Sequence, residues 1–321
     1  MKNHYFIGVV AGLLSGLTWA LNTTLIGVSI HSDILADPAL GHKVPFLSNF
    51  LNDIFVTLWI LLAVIFTRKL GVAFRTLFSR RGGLLVISGI LGGPLGMLFF
   101  VLGVKYAGVG YTSVISSIYP VIGAVLSAFL LKEKLSGKNY LGVVVIVISV
   151  SYLSYQTLSH PADHLTLGVM YAFCAALGWA VQAVFLAWCM RDSDVPSHVA
   201  LLINVSSALL IDLTVLLPAV DAMHLIEPVM VSQSGQIAFG AATIGAISTW
   251  MYYVSIRRIG ATKAMGLDIT YGVWAEIIQV VITPQKAAAK LVVTTAVIAF
   301  GVILTITHDK LRNWFGHEDP P

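Results

Sequence analysis

Charged residues are scarce in this 321-residue chain, and their scarcity already narrows the class of protein. Only 11% of the residues are charged, 57% are hydrophobic, and the mean hydropathy is +0.88. A soluble domain carries roughly 25% charged residues, because it must cover a surface that faces water. The composition therefore excludes a soluble enzyme, a nucleic-acid-binding module and a disordered protein, and it indicates an integral membrane protein.

Cysteines and catalytic motifs are scarce as well. The two cysteines, Cys174 and Cys189, lie in one apolar stretch, on a presumed helix that keeps them apart. We therefore expect neither a disulfide framework nor a metal site. The sequence has no His-Glu-x-x-His, Gly-x-Ser-x-Gly, Asp-Asp-x-x-Asp or phosphate-loop motif. These absences argue against an enzyme, and nothing in the sequence points to a cofactor.

Long apolar runs dominate what is present. A membrane span needs about 20 mostly apolar residues, and ten such runs can be identified. The predicted fold is thus an all-α integral membrane protein with ten transmembrane helices and no room for a soluble domain. The predicted spans are residues 5–26, 46–66, 83–103, 108–130, 140–155, 167–189, 197–217, 235–254, 262–282 and 291–306.

The positions of the basic residues predict the orientation. Cytoplasmic loops of membrane proteins are enriched in lysine and arginine. With the N-terminus inside, all but four of the 19 basic residues fall on the inner side. We therefore predict that both termini are cytoplasmic and that the membrane is a bacterial inner membrane. The four exceptions are Lys43, Lys105, Lys286 and Lys290.

The two halves of the chain resemble each other, which predicts an internal repeat. Matches at a shift of 160 include Gly8, Trp19 and Ala20 with Gly168, Trp179 and Ala180, and matches at a shift of 152 include Lys105 and Tyr119 with Arg257 and Tyr271. Chance similarity of apolar helices is the alternative. A repeat of five spans places the second copy upside down, as in many secondary transporters. The predicted repeats are residues 1–155 and 156–321.

The same residues carry a resemblance to a known family. The chain resembles the drug/metabolite transporter superfamily, in its ten-helix exporter branch of EamA type. The resemblance rests on the Gly-x10-Trp-Ala start of both halves, on residues 105–113 through Tyr119-Pro120, and on Glu133-Lys134-Leu-Ser-Gly-Lys. It implies secondary transport, often export of amino acids or other metabolites, through a central cavity between the halves.

Four acidic residues lie inside predicted spans, where ionisable groups are costly and usually functional. They are Asp53, Asp212, Asp268 and Glu276, and no lysine or arginine lies deep in any span. Such acids can be protonated, exchange protons or meet a cationic substrate, although a protonated acid can also simply bond a neighbouring helix. We assign proton coupling to Asp53, Asp268 and Glu276. Asp212 ranks last, because it has no polar partner in the other repeat.

Repeated aromatic and amide residues near mid-span predict a small-molecule pocket. Trp19 and Trp179 lie one turn from Asn22 and Gln182, Tyr119 repeats as Tyr271, and Asn204 is the repeat partner of Asp53. Helix packing is the alternative for each aromatic pair. The predicted substrate-binding residues are Trp19, Asn22, Asp53, Tyr119, Trp179, Gln182, Asn204, Trp250, Asp268, Tyr271 and Glu276.

These patterns predict a secondary transporter that moves an amino acid, amine or similar amphipathic solute by alternating access. We expect an exporter coupled to protons or to exchange; the alternatives are an intramembrane enzyme or a channel. The expected partners are the small-molecule substrate and membrane lipid, with no nucleic acid. One ten-span bundle can enclose a cavity, so a monomer is sufficient, and a homodimer through the glycine stripes is the alternative.

Overall fold

The computed structural model describes the backbone of residues 2–133, 135–154, 165–191, 193–282 and 289–307. Within these ranges it does not describe the side chains of residues 2, 3, 108–110, 153, 154, 276, 279, 280, 289–292 and 306. The described residues form helices and connecting turns, with no strand among them. This agrees with the all-α class that the composition predicts.

Seven α-helices make up the first half of the chain, and proline marks two of their starts and one internal distortion. Pro45 and Pro120 occupy first-turn positions, where the missing N–H costs nothing. Pro94 instead lies inside a π-helical turn, Leu91–Leu95, because its ring and missing N–H disrupt a regular helix. The helices are α1 Lys2–Ile30, α2 Val44–Phe66, α3 Leu70–Leu77, α4 Arg80–Ile90, α5 Gly96–Ser116, α6 Tyr119–Leu126 and α7 Gly137–Ser154.

Eight α-helices follow in the second half. A π-helical turn, Asp212–Leu216, interrupts the seventh predicted span just before Pro218. Gly260 ends one long helix and starts the next with a φ of 88°, a conformation that favours glycine. The helices are α8 Leu165–Met190, α9 Ser197–Ile211, α10 Leu217–Ala219, α11 Ile226–Val231, α12 Gln233–Ile259, α13 Ala261–Asp268, α14 Tyr271–Ile282 and α15 Ala289–Ile306.

Within the described ranges, seven helical segments are long and apolar enough to cross a membrane. The fifth and tenth predicted spans fall instead on shorter apolar helices, Gly137–Tyr152 and Val293–Thr305. The ninth is divided between α13 and α14, because the helix breaks after Asp268. The seven segments are His4–Ile30, Val44–Phe66, Arg80–Ala107, Tyr111–Leu131, Leu165–Met190, Ser197–Ala219 and Gln233–Ile259.

Helix α5 contains the reversal between the third and fourth predicted spans. A Cβ atom built on Gly103 would lie 2.9 Å from the Thr112 side chain. Nine residues along a straight helix span about 13.5 Å, so the chain must turn back between these two positions. The residues of α5 therefore belong partly to the third predicted span and partly to the fourth.

Small residues bring the long helices into close contact within the chain. Helix α1 packs along α12, α5 along α8, and α7 along α15. A Cβ on Gly168 of α8 would lie 2.4 Å from that of Ala107, and one on Gly12 of α1 would lie 2.8 Å from Leu267 and Ser255. The glycine stripes are thus used inside one molecule, as is common where membrane helices meet.

The outer surface of the helix bundle is apolar. Phe66, Phe78, Phe129 and Val231 are each at least 74% exposed, and many other large apolar side chains are half exposed. A protein surrounded by water rarely shows so much apolar surface. Together with the seven long apolar helices, this surface identifies an integral membrane protein.

Candidate functional site

A cavity of about 260 Å³ lies between helices from both halves of the chain. Its walls come from α1, α2, the π-helical turn Leu91–Leu95, α5, α6, α8, α9, α12, α13 and α14. Most of the residues that the sequence predicts for substrate binding meet there, although they are far apart along the chain. Those that line the cavity are Trp19, Asp53, Tyr119, Trp179, Gln182, Asn204, Asp268 and Tyr271.

Of the three remaining predicted residues, two have other surroundings and the third is not described. Asn22 is fully buried and packs against Gly245 of α12, where both polar atoms of its amide have no hydrogen-bond partner among the described residues. Trp250 packs against His198, with ring centroids 5.5 Å apart. The side chain of Glu276 lies outside what the structure describes. The cavity wall therefore includes neither Asn22 nor Trp250.

Two aromatic rings form one wall of the cavity. Tyr119 and Trp179 meet edge to face, with centroids 6.1 Å apart and an interplanar angle of 81°. The Trp179 indole N–H donates to the Gly92 carbonyl oxygen at 2.9 Å. A Cβ on Gly96 would lie 2.8 Å from the indole nitrogen, so this glycine at the start of α5 makes room for the ring. The ring is consequently held in one orientation.

Asp268 lies beside this aromatic wall, at the C-terminal end of α13. Its Oδ1 accepts a hydrogen bond from the Ser15 hydroxyl at 2.6 Å, and its Oδ2 accepts one from the Tyr119 hydroxyl at 3.3 Å. The helix break that follows Asp268 places the next cavity residue, Tyr271, on a new helix. The carboxyl group is therefore held by donors from two other helices and faces the cavity.

A second acidic group lies at the α2–α9 contact. Asp53 lines the cavity and is 9% exposed, whereas Asp212 lies behind it and is 2% exposed. Asn49, which lies one turn before Asp53 on α2, is hydrogen-bonded to the Asp212 carboxyl group, so the two carboxyl groups lie close together. Asn52 donates to Asp53 at 3.3 Å, and Asn49 donates to Asp212 at 3.1 Å.

Buried amides connect α8, α9 and α4 on another side of the cavity. Gln182 Nε2 donates to Asn204 Oδ1 at 3.1 Å, and Asn204 Nδ2 donates to the Ser88 hydroxyl at 2.9 Å. Because these bonds satisfy much of their capacity, the two amides fix the positions of three helices. Their contact with a solute would be secondary to that role.

Two residues that line the cavity each carry a buried polar atom with no partner among the described residues. They are Asn52, through its side-chain oxygen, and Tyr253, through its hydroxyl. A buried polar group without a bond is costly. No pattern in the sequence singles out Tyr253, which lies next to Tyr252 in an ordinary apolar helix.

The charged side chains among the described residues of the cavity wall are all acidic. Asp53 and Asp268 line it, and no lysine, arginine or histidine among the described residues does. Clusters of three or more potential metal ligands are likewise absent from the described part of the chain. Aromatic faces attract cations through the ring quadrupole. The wall is therefore suited to a small cation or to protons.

Comparisons with known proteins agree with this architecture. Residues 6–155 match the model of the EamA-like transporter family. The chain is 30% identical over 304 residues to Protein LicB of Haemophilus influenzae, covering 93% of this chain and 97% of that protein. A chain in a known crystal structure has a similar fold, with a TM-score of 0.70 at 20% identity, covering 94% of this chain and 97% of that one.

Proposed function

Because the chain belongs to the EamA-like transporter family of the drug/metabolite transporter superfamily, we propose that it is a secondary transporter of small organic cations, such as amines. The observation that carries the proposal is the cavity wall, which combines two carboxyl groups with the faces of Trp19, Tyr119 and Trp179 and has no basic side chain among its described residues. Of the two expected substrate classes, amino acids and amines, this wall favours amines. An amino acid would bring a carboxylate that no described cationic group could meet.

The size of the cavity limits the solute. Ligand pockets for drug-sized molecules usually measure about 300–1,000 Å³, whereas this one measures about 260 Å³. A cation with a few carbon atoms would fill it. Water would then be excluded from the carboxyl groups, which strengthens their attraction to the positive charge.

We propose that the molecule consists of two inverted five-helix repeats with ten spans in all, residues 1–155 and 156–321. The packing of the helices supports this. The contact of α1 with α12 has its counterpart in that of α8 with α5, and the contact of α2 with α12 has its counterpart in that of α9 with α4. The contacts α2–α9 and α7–α15 each join a helix to its own repeat equivalent. Inverted repeats around a mid-membrane site are the usual basis of alternating access.

Coupling and location belong to the same proposal. Asp53, Asp268 and Glu276 remain the residues proposed for proton coupling, with exchange as the alternative driving force and export as the expected direction. The proposed location is a bacterial inner membrane with both termini in the cytoplasm. Because the glycine stripes pack within the chain, a monomer is sufficient for this activity.

A thermal-shift measurement on purified protein tests the substrate class. Tetramethylammonium and methylammonium are the cationic probes, tert-butanol is a neutral control of similar size, and acetate is the anionic control. A ligand that binds only the folded state raises the melting temperature by mass action. We expect a shift with the cations alone, its loss in Asp268→Asn, and its retention in Asp221→Asn, where the acid is exposed. Equal shifts from tert-butanol or acetate would overturn the cation assignment.

Flux into proteoliposomes tests transport itself. Uptake of labelled tetramethylammonium should saturate with concentration, as expected for a carrier, whereas a channel would show a linear dependence. Vesicles with the pH gradient in either direction also determine whether outward proton movement drives uptake. A flux that is independent of the pH gradient and rises linearly with the tetramethylammonium concentration would contradict secondary transport.

A further inference from the structure

Two membrane carboxyl groups lie close together among the described residues, because Asp212, directly after α9, accepts a hydrogen bond from Asn49, one turn before Asp53 on α2. An ionised carboxylate can only accept hydrogen bonds, so a bond between two carboxyl groups requires a proton on one of them. Two carboxylates that share one site repel each other, so it is costly for both to be ionised. Both groups are shielded from water, with 9% and 2% exposure.

The surrounding donors leave room for one shared proton. Asn52 donates to one oxygen of Asp53, and Asn49 donates to one oxygen of Asp212. Each carboxyl group therefore has a stabilising amide bond and one oxygen left for its partner. Donors of this kind favour a charged form, so the pair as a whole is stabilised with one proton and one negative charge.

The titratable and charged groups around the pair are few. Asp268, Tyr119, Tyr252, Tyr253 and Tyr271 face the same cavity. Along the helices that pack on α2 and α9, the ion pair of Lys43 and Asp221 lies at one end, and the contact of Thr67 with His198 lies at the other. None of these groups is hydrogen-bonded to either carboxyl group in the described structure.

We propose that Asp53 and Asp212 form a single proton-binding site that holds one shared proton and releases it when a cation occupies the cavity. In the release step, the O–H bond within the pair breaks, the proton passes from Asp53 to the water that the entering cation displaces from the cavity, and the pair gains one negative charge. The monovalent solute balances that charge. This inference rests on the proposed transport of cations, but proton binding itself can be measured without any solute.

The position of the pair explains how one proton could affect the whole molecule. Helices α2 and α9 belong to different halves of the chain, and they pack against each other. A shared proton bonds the halves together at this contact, whereas loss of the proton leaves two like charges that repel each other. Asp212 also begins a π-helical turn, a distortion that occurs often at functional sites. Asp268, by contrast, is hydrogen-bonded only to hydroxyl groups among the described residues.

Infrared difference spectroscopy during a pH titration tests the pair in the full-length protein reconstituted without solute. The carboxylic C=O band of a coupled pair should disappear in two separate steps. Asp53→Asn and Asp212→Asn should each replace the two steps of the pair with a single step, and the double variant should show no step from this site. Asp268→Asn should remove only the part of the C=O band that comes from Asp268 and should leave both steps of the pair unchanged. Having two reciprocal single variants preserves the test if one of them does not fold.

An unchanged Asp53 signal in Asp212→Asn would overturn the shared site, even if tetramethylammonium transport were established. Conversely, a coupled titration without any cation transport would support the shared site and reject the proposed substrate. In vesicles, Asp212→Asn should lower the pH-driven accumulation of tetramethylammonium at least tenfold relative to the wild type. Accumulation equal to that of the wild type would contradict the coupling role.

Discussion

Glu133 and Ala261 are 128 positions apart in the chain, and the carboxylate of the first accepts the backbone N–H of the second at 2.9 Å. The other carboxylate oxygen accepts the Thr262 hydroxyl at 2.8 Å. The acid therefore caps the N-terminal end of α13, where unpaired N–H groups and the helix dipole favour a negative charge. Because α13 ends in Asp268, this cap from the first half of the chain helps to position a cavity residue of the second half.

Replacing Glu133 with glutamine should destabilise the protein without changing its shape. Loss of the charge-assisted bonds should cost about 1–3 kcal/mol of unfolding free energy, seen as a lower melting temperature in detergent. Glu227→Gln, an exposed acid, is the matched control and should change little. Equal melting temperatures for the two variants would contradict the capping role.

Gly168→Ala should destabilise the contact between α8 and α5. The added Cβ would lie 2.4 Å from the Ala107 Cβ and 2.5 Å from its backbone nitrogen, so the helices would have to move apart. Overpacking of this kind costs about 1–3 kcal/mol. Gly240→Ala in α12 is the control, since nothing lies within 4 Å of its added Cβ, and it should be neutral or stabilise the helix by about 0.5–1 kcal/mol. Thermal unfolding monitored by circular dichroism would separate the two.

Trp179→Leu should weaken binding of tetramethylammonium more than it weakens folding. A cation over an aromatic face gains about 0.5–2 kcal/mol, which corresponds to a roughly 2- to 30-fold loss of affinity when the ring is removed. Trp188→Leu, on the same helix but 51% exposed, should leave the dissociation constant unchanged. Titration calorimetry measures both. An unaltered affinity in Trp179→Leu would remove this ring from the binding site.

Composition was enough to predict an all-helical membrane protein. Trp19 and Trp179 match when the two halves of the sequence are aligned, and both line the cavity. Asn22 matches Gln182 equally well, yet only Gln182 lines the cavity, because the rotation of α1 turns Asn22 towards Gly245. A helical repeat in a sequence defines which residues share a face and leaves open which neighbour that face meets.

Asp212 is a second residue whose neighbours the sequence pattern does not reveal. It has no polar equivalent in the first repeat, so comparison of the halves ranked it last. Its importance comes from contact between α2 and α9, which no periodicity of one helix can indicate. The division of the ninth predicted span at Asp268 was also missed, since residues 262–282 read as one apolar run. Only the packing of α13 against other helices determines where that run breaks.

Cysteine labelling should test the proposed topology. In a background with Cys174 and Cys189 replaced by alanine, a new cysteine at exposed position 224 should react with a membrane-impermeant maleimide on intact cells. One at exposed position 80 should react only after the membrane is permeabilised. The reason is that seven proposed spans precede His224 and two precede Arg80, so the positive-inside rule places them on opposite sides. Labelling of both positions from the same side would contradict the odd number of crossings between them, and the inverted arrangement of the two halves would then have no support from topology.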